Sequence, residues 1–294
     1  MPILSEKNKL SLGFSPCPND TFIFHALVHK QHGQHKQACA EFPNFGKATL
    51  ADVETLNAWA LAGRLDVTKL SFHALGQVLD QYVLLMAGSA LGRGCGPLLV
   101  ARENFSATVL PRLTIAIPGK YTTAALLLRM YSPVALTTRV MRFDEIMPAI
   151  VAGEVDAGVI IHESRFTFQA HGLLLLQDLG VWWEQETGFP IPLGGIAAKR
   201  SLGKEKIQAI DRCIRASVSA AFANPEAGMD YIRQHAQELD DKVIGDHIGL
   251  YVNPFSLDLG AEGVAAVREF LARGRQLGVF PEQPSALPLT SKEL

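Results

Sequence analysis

Three junctions between a predicted strand and a predicted helix carry small side chains that can donate hydrogen bonds. They are Ser15–Thr21 (SPCPNDT), Thr68–Ser71 (TKLS) and Gly119–Thr123 (GKYTT). A helix N-terminus offers unpaired N–H groups and a partial positive charge, which suit a carboxylate or a phosphate. Because ligands of open α/β sheets bind beyond the carboxyl ends of the strands, these junctions predict a site for a small anionic ligand.

The polar side chains at these junctions have a structural explanation as well as a functional one. Asn19 or Asp20 is available as the N-cap of the first helix. Ser71 takes that position for the helix that begins near it, and Thr122 or Thr123 for the helix that follows the third junction. Residues of these types are favoured as helix caps whatever the protein does. Both interpretations stay open for each residue, although three such junctions in one chain favour a ligand cleft.

Lys69 and His162 are the side chains whose charge could take part in chemistry. Lys69 lies near the end of a predicted strand, where it either faces solvent or pairs with an anion. His162 follows the apolar run Ala157–Ile161, and an unperturbed imidazole, with a pKa of about 6.5, can accept a proton near neutral pH. We therefore predict that His162 is a general base, with Asp20 and Glu163 as the next candidates. The alternative is a histidine whose hydrogen bonds are satisfied in the core or at its rim.

The elements that must position these residues alternate between strands and helices. The predicted strands are Lys9–Ser15, Asp66–Leu70, Tyr82–Ala87, Pro97–Ala101, Leu113–Ile117, Leu136–Phe143 and the run that ends at Ile161. The predicted helices up to that point are Thr21–Lys30, Asp52–Gly63, one that begins near Ser71, Thr122–Tyr131 and Asp144–Ala152. This alternation indicates an α/β protein with parallel sheets.

Two stretches of similar composition predict how the chain is divided. Gly92–Arg102 and Ile191–Arg200 each contain Gly and Pro, then a short apolar strand that ends in a basic residue. One leaving and one returning strand, at Pro97–Ala101 and Gly194–Ala198, fit a two-strand hinge. Residues 1–102 and 191–294 would then form one discontinuous lobe and residues 103–190 the other, with the ligand cleft between them.

The composition excludes several classes of protein. The 294 residues include 27 Lys and Arg against 29 Asp and Glu, and no basic run exceeds two residues, so a nucleic-acid partner is not expected. The longest apolar stretch is too short to cross a bilayer, and the charged N-terminus does not resemble a signal peptide, so we expect a cytoplasmic protein. The four cysteines are scattered without metal-ligand spacing, and neither a disulfide nor a metal site is predicted.

Five segments together resemble the 1,4-dihydroxy-6-naphthoate synthase family, which acts in the futalosine route to menaquinone. The likeness runs through nearly the whole chain, and SPCPNDTF and DVTKLSF are its most specific motifs. The segments are Ser15–Leu27, Asp52–Leu75, Tyr121–Leu128, Ile161–Glu163 and Tyr251–Gly260. The stretch Gln31–Leu50 matches least well, and no property of the family is transferred to it.

The resemblance implies a fold, a substrate and a set of site residues. The fold is that of the two-lobed type II periplasmic binding proteins, which agrees with the predicted hinge. The substrate is cyclic dehypoxanthine futalosine, a small molecule with a carboxylate and a sugar remnant, and no metal or organic cofactor is expected. By motif, the substrate contacts fall on Lys69, Leu70, Ser71, Thr122 and Thr123, and the proton acceptor falls on His162. Asn19 and Asp20, at the first junction, are also predicted to bind the substrate.

Two other functions stay open on the same scaffold, because the fold alone does not determine the activity. One is a solute-binding protein that holds a small anion without changing it, which the expected cytoplasmic location disfavours. The other is an enzyme similar to the sister chorismate dehydratase, although the SPCPNDTF and DVTKLSF motifs are not expected there. Turnover of chorismate or of the cyclic futalosine derivative would distinguish the two enzymes.

Overall fold

The architecture, taken from a computed structural model, consists of two mixed β-sheets with helices packed around them. The structure describes residues 9–29, 43–132, 134–236, 240–282 and 288–294. The predicted α/β class is confirmed. In the described part of the chain, no helix combines the length and the apolar character that a membrane crossing requires.

The strands are short, and most of them are completely buried. They are β1 (Leu12–Phe14), β2 (Thr49–Leu50), β3 (Val67–Ser71), β4 (Tyr82–Leu84), β5 (Ala90–Gly92), β6 (Leu98–Ala101), β7 (Thr114–Ile117), β8 (Thr137–Val140), β9 (Ala157–Ile160), β10 (Leu174–Asp178) and β11 (Ile191–Lys199).

The helices of the first half include all five that the sequence predicts, with shifted ends. They are α1 (Pro18–Val28), α2 (Val53–Leu61), α3 (Phe72–Gln77), α4 (Thr123–Tyr131), α5 (Ile146–Ala152), α6 (Ser164–Thr167) and α7 (Leu179–Thr187). The second half adds α8 (Lys204–Ala223), α9 (Met229–His235), α10 (Asp241–Tyr251), α11 (Pro254–Leu257) and α12 (Gly260–Gln276).

The prediction of purely parallel sheets is wrong for both sheets. The first has the order β2-β1-β3-β11-β4, with β5 also paired to β11, and the second has the order β10-β6-β9-β7-β8. The β1–β2, β1–β3, β7–β8 and β7–β9 pairs are parallel, as strand–helix–strand units require. Strands β6 and β11 are the first strands after the two points where the chain passes from one sheet to the other. Each of them runs antiparallel to its neighbours.

The two crossings differ from the predicted hinge. The chain leaves the first sheet after β5 and enters the second at β6, so residues 93–97 make the first crossing. It returns through residues 188–190, between α7 and β11. Pro97–Ala101 and Gly194–Ala198 were predicted as the hinge strands, but they lie largely inside two different sheets as β6 and β11. Strand β6 therefore belongs to the second sheet, and the division into lobes at residues 102 and 191 stays a prediction.

Helix α1 is buried on all sides. Every residue from Pro18 to Leu27 is buried, because α1 packs against helices α8, α9 and α10 and its Phe24 stacks on Phe14 of β1. It begins earlier than predicted: Cys17 is the N-cap and Pro18 takes the first helical position, where proline loses no hydrogen bond. Asn19 and Asp20 are consequently not caps, and their side chains are available for other contacts.

Two glycines meet where the first crossing packs against α7. A Cβ at Gly96 would collide with the backbone of Gly180, and a Cβ at Gly180 would collide with that of Gly96. The guanidinium of Arg165 donates to the Gly96 carbonyl and to Asp178, the N-cap of α7. The amide of Leu179 also donates to the Pro97 carbonyl, at 3.0 Å. The crossing is therefore held by a close backbone approach together with hydrogen bonds.

The close approach predicts that Gly96→Ala destabilises the protein. The added methyl group meets backbone atoms that cannot rotate away, so we expect the free energy of unfolding to fall by about 1–3 kcal/mol. Gly245→Ala is the control: it lies within α10 with open space around a Cβ, and should leave stability unchanged or raise it by about 0.5–1 kcal/mol. Denaturant titration measures both variants. Equal midpoints for Gly96→Ala and the unchanged protein would show that the crossing is loosely packed.

Candidate active site

A cavity between the two sheets brings the predicted site residues together. It encloses about 680 Å³ of empty space, part of it open to solvent. Its lining includes all eight of them: Asn19, Asp20, Lys69, Leu70, Ser71, Thr122, Thr123 and His162. The junctions Ser15–Thr21 and Thr68–Ser71 reach it from the first sheet, while Gly119–Thr123 and the turn after β9 reach it from the second. A mostly apolar cavity with a few convergent polar groups is typical of a small-molecule site.

Lys69 is buried in an internal ion pair. Only 5% of the residue is exposed, and its Nζ donates to Oδ1 of Asp20 at 2.8 Å and to the Gly88 carbonyl at 3.4 Å. Of the two alternatives for Lys69, pairing with an anion is the one that the structure shows. The anion that it contacts is a carboxylate of the protein itself. Because an ammonium group has three protons, one more donor direction exists for a ligand.

Asp20 accepts hydrogen bonds from four groups. Besides Lys69, the amide and the hydroxyl of Ser15 donate to Oδ2 at 3.1 and 2.7 Å, and Nδ2 of Asn19 donates to Oδ1 at 3.0 Å. The side chain is only 1% exposed. This arrangement fits a carboxylate that holds the cavity wall together, and it leaves Asp20 poorly placed as a proton acceptor for a ligand.

The three hydroxyl groups of the site differ in what they can still donate. The Thr122 hydroxyl donates to the Gly119 carbonyl and accepts from the Ala125 amide, so it caps α4. The Thr123 hydroxyl donates to the Leu193 carbonyl at 2.6 Å and accepts from the Phe72 amide at 3.1 Å. Each of these protons is therefore already engaged in the protein.

Ser71 retains a hydroxyl proton for a ligand. Its Oγ accepts from Nδ2 of Asn57 at 3.2 Å, and its amide donates to Oδ1 of the same side chain at 2.9 Å. Within the described residues the hydroxyl proton has no acceptor. Ser71 is the N-cap of α3 by backbone position, but its side chain makes no capping hydrogen bond there.

Two residues of α2 that the sequence analysis missed connect the two sides of the cavity. Asn57 is fully buried, and it donates to the Tyr121 carbonyl as well as to Ser71. Glu54 accepts from the Tyr121 amide at 3.1 Å, and burial is the main cause that raises the pKa of its carboxyl group. The local pattern of α2 does not distinguish these two side chains from polar residues that face solvent, because their partner Tyr121 lies more than 60 residues away.

His162 sits in a tight turn just after β9. Its φ of 58° lies in the left-handed region, which is uncommon for residues other than glycine and is found at functional sites. The ring contacts the edge of Phe143 at 5.0 Å between centroids. The Cys17 sulfur lies 3.7 Å from Nδ1 and 4.0 Å from Nε2. Glu163, the fallback candidate, lines a neighbouring cavity together with Cys17, and that cavity shares His162 with the first one.

The surroundings of His162 change its basicity from the value that the sequence analysis assumes. Burial lowers its pKa, but the charge and hydrogen bonding of Cys17 and the charges of Glu163 and Asp20 outweigh burial and raise the pKa to about 9. The ring would therefore be mostly protonated at neutral pH, and its base form would dominate only above about pH 9. An ordinary histidine would titrate near 6.5.

His247 also lines the cavity and has no counterpart in the sequence analysis. It lies on α10, is 1% exposed, and faces Oδ1 of Asn19 with its Nε2 at 3.0 Å. Its ring stacks on that of His162 with centroids 6.1 Å apart. Burial and the charge of His162 lower the pKa of His247 to about 3, so the ring is neutral over the physiological range.

Neither a metal cluster nor a disulfide occurs in the described part of the chain. No group of three or more His, Cys, Asp and Glu side chains there could hold a metal ion. Cys17, Cys95 and Cys213 are thiols, and Cys39 lies outside the described residues.

Comparisons with known proteins agree on one family. A model of that family, described as menaquinone biosynthesis, matches residues 10–276. The chain is 51% identical over 278 residues to the 1,4-dihydroxy-6-naphthoate synthase of Thermus thermophilus, which covers 95% of this chain and 98% of that protein. It is 47% identical over 277 residues to the protein of the same name from Streptomyces coelicolor, with 92% and 95% covered.

A solved structure shows the same fold in a distant protein. The alkanesulfonate-binding protein from Xanthomonas axonopodis pv. citri, bound to MOPS, is similar with a TM-score of 0.65 at 16% identity. The match covers 98% of each chain. At this identity the likeness bears on the fold alone, and it confirms the predicted periplasmic-binding-protein-like architecture.

The contact between Cys17 and His162 predicts a measurable effect of Cys17→Ser. Serine removes the sulfur whose charge and hydrogen bonding oppose the effect of burial on His162, so the pKa of His162 should fall well below 9. NMR titration of the ring protons measures the pKa, with His162→Asn identifying the resonance. Cys213→Ala, which removes a thiol outside the cavity lining, should leave the pKa unchanged. A pKa that stays near 9 in Cys17→Ser would exclude the sulfur as the cause.

Proposed function

The chain belongs to the menaquinone-biosynthesis family of 1,4-dihydroxy-6-naphthoate synthases, and from that premise we propose that it converts cyclic dehypoxanthine futalosine to 1,4-dihydroxy-6-naphthoate. In this proposal it is a carbon–carbon lyase that uses no metal ion or organic cofactor. The observation that carries the proposal is the composition of the cavity. A strongly basic histidine lines the same cavity as the Ser71 hydroxyl and the Lys69 ammonium group.

The proposed reaction needs one base and a set of hydrogen-bond donors. The substrate is spirocyclic, with a carboxylate and a remnant of the ribose. Removal of one proton starts opening of the ring and expulsion of the sugar-derived carbons, and the new aromatic ring supplies the driving force. Donors fixed in advance around the developing negative charge lower the barrier, and exclusion of water strengthens each of them.

We assign the proton transfer to His162. Because Cys17, Glu163 and Asp20 together outweigh burial and raise its pKa to about 9, His162 is a stronger base than an unperturbed imidazole, but its base form is scarce at neutral pH. The rate should therefore rise with pH and level off near 9, rather than near 6–7 as an ordinary histidine would predict. The proton can remain on the ring until the leaving fragment takes it.

The substrate carboxylate is assigned to the donors at the starts of α3 and α4. The Ser71 hydroxyl proton has no acceptor in the described part of the chain, and the remaining proton of Lys69 is close by on the same strand. Thr122 and Thr123 stay predicted substrate contacts. Their hydroxyl protons are engaged in the protein, so they would act through their backbone amides or as acceptors.

The direct test is detection of the product by mass spectrometry. Purified protein is incubated with cyclic dehypoxanthine futalosine and, separately, with chorismate, in buffer treated with a chelator. Formation of 1,4-dihydroxy-6-naphthoate from the first substrate alone supports the proposal. Binding without conversion would instead support a solute-binding protein, and loss of water from chorismate would support the dehydratase alternative.

The assignment of His162 predicts a large kinetic effect of His162→Asn. Asparagine keeps similar bulk and some hydrogen bonding but cannot take the proton, so kcat should fall by about 10²–10⁴, with KM within a few-fold. The variant should unfold at a temperature close to that of the unchanged protein. Turnover above about a tenth of the unchanged rate would mean that another group accepts the proton.

A further inference from the structure

His247 is a buried polar side chain that the proposed reaction does not use. It comes from α10, in the C-terminal third of the chain, and its ring forms part of the cavity wall beside His162. Only 1% of the residue is exposed. A polar ring in this position requires hydrogen-bond partners, and the identity of those partners determines what the ring can offer to a ligand.

The neighbouring side chains determine which ring nitrogen of His247 carries the proton. Asp20 is a carboxylate and can only accept, so the group that Asn19 directs at it, at 3.0 Å, is its NH₂. The carbonyl oxygen of Asn19 then faces Nε2 of His247, also at 3.0 Å. Since a carbonyl oxygen only accepts, Nε2 must donate and therefore carries the proton.

The other nitrogen of the ring is consequently a bare acceptor. In the neutral imidazole only one nitrogen is protonated, so Nδ1 presents a lone pair. Burial and the nearby charge of His162 hold the pKa of His247 far below neutrality, which keeps the ring neutral. Nδ1 exposes almost no surface and finds no hydrogen-bond partner among the described residues, so a ligand reaches it only when the neighbouring side chains of the cavity wall move apart. The rings of His162 and Tyr251 are its aromatic neighbours, with centroids 6.1 and 4.7 Å away.

An unpartnered acceptor in a cavity wall selects the kind of ligand group that can occupy the adjacent space. A carboxylate cannot satisfy it, because both groups would be acceptors, whereas a hydroxyl group can donate to it. Leaving such an acceptor unpaired is unfavourable, and a ligand that supplies the missing proton removes this cost. The sugar remnant is the part of the proposed substrate rich in hydroxyl groups.

We propose that Nδ1 of His247 accepts a hydrogen bond from a hydroxyl group of the sugar-derived part of the substrate. The inference rests on the proposed function, which supplies the substrate. This hydrogen bond orients the substrate, with the sugar remnant against α10 and the carboxylate toward the donors at the starts of α3 and α4. His247 is then a binding residue that leaves the proton transfer to His162.

Two substitutions separate the two nitrogens of the ring. In His247→Gln the amide group reaches the place of Nε2, so it can still donate to Asn19 but offers nothing at the place of Nδ1. In His247→Asn the shorter amide can put a carbonyl oxygen near the place of Nδ1, while the contact with Asn19 is lost. We expect His247→Gln to raise KM for cyclic dehypoxanthine futalosine by about tenfold to hundredfold with a smaller change in kcat. His247→Asn should raise KM less.

The reaction product provides a matched control ligand. 1,4-Dihydroxy-6-naphthoate lacks the sugar-derived carbons, so its inhibition constant should be the same for His247→Gln and for the unchanged protein. Equal weakening of substrate and product would overturn the assignment to the sugar remnant, and an unchanged KM in His247→Gln would overturn the hydrogen bond itself. Thermal unfolding of both variants checks that they fold.

The tautomer can be measured without any substrate. In protein labelled with ¹⁵N on histidine, the His247 ring should show a protonated Nε2 and a bare Nδ1 at neutral pH. A protonated Nδ1, or a ring protonated at both positions, would overturn the inference whether or not the protein turns over the substrate. If the tautomer is as expected but the unchanged protein forms no product, the proposed function fails and the bare acceptor remains.

Discussion

The buried ion pair between Lys69 and Asp20 is the interaction on which the rest of the site depends. Removing two charges from water is costly, and the cost is offset only when the geometry is good and further hydrogen bonds satisfy both groups. Asp20 meets that condition with donors from Lys69, Ser15 and Asn19. The pair connects the first turn of α1 to the central strand β3, and through Asn19 it extends to His247 on α10. One carboxylate thus connects three parts of the chain that are remote in sequence.

The second sheet completes the site through contacts that cross the cavity. The Thr123 hydroxyl donates to the carbonyl of Leu193 in β11 and accepts from the amide of Phe72 in α3. From the other direction, the Glu54 carboxyl group accepts a hydrogen bond from the Tyr121 amide. The Cys17 sulfur meets His162 from the opposite side. The basicity of His162 is therefore a property of the assembled molecule, because the two residues reach each other only when the sheets come together.

Sequence reasoning located the junctions of this site better than the contacts within it. Ser71, Thr122 and His162 follow strands, and a strand end followed by a helix is visible in the local pattern. The partner of Lys69 was not predicted, since nothing in a local pattern pairs residue 69 with residue 20. The roles of Asn57 and His247 are not visible in the sequence around them, because a polar residue on a helix is expected to face solvent unless the packing of that helix is known. The prediction of parallel pairing is wrong for β6 and β11 for a similar reason, because their directions follow from where the chain crosses between the two sheets.

A double-mutant cycle at Lys69 and Asp20 tests the central role of the ion pair most directly. Lys69→Met and Asp20→Asn each leave one buried charge without its partner, so each should lower the free energy of unfolding by about 3–5 kcal/mol. The double variant leaves neither charge, and it should lose clearly less than the sum of the two single losses, by an interaction energy of about 1–3 kcal/mol. Losses that simply add would mean that the two groups act independently, and the network that positions Asn19 and His247 would then need another foundation.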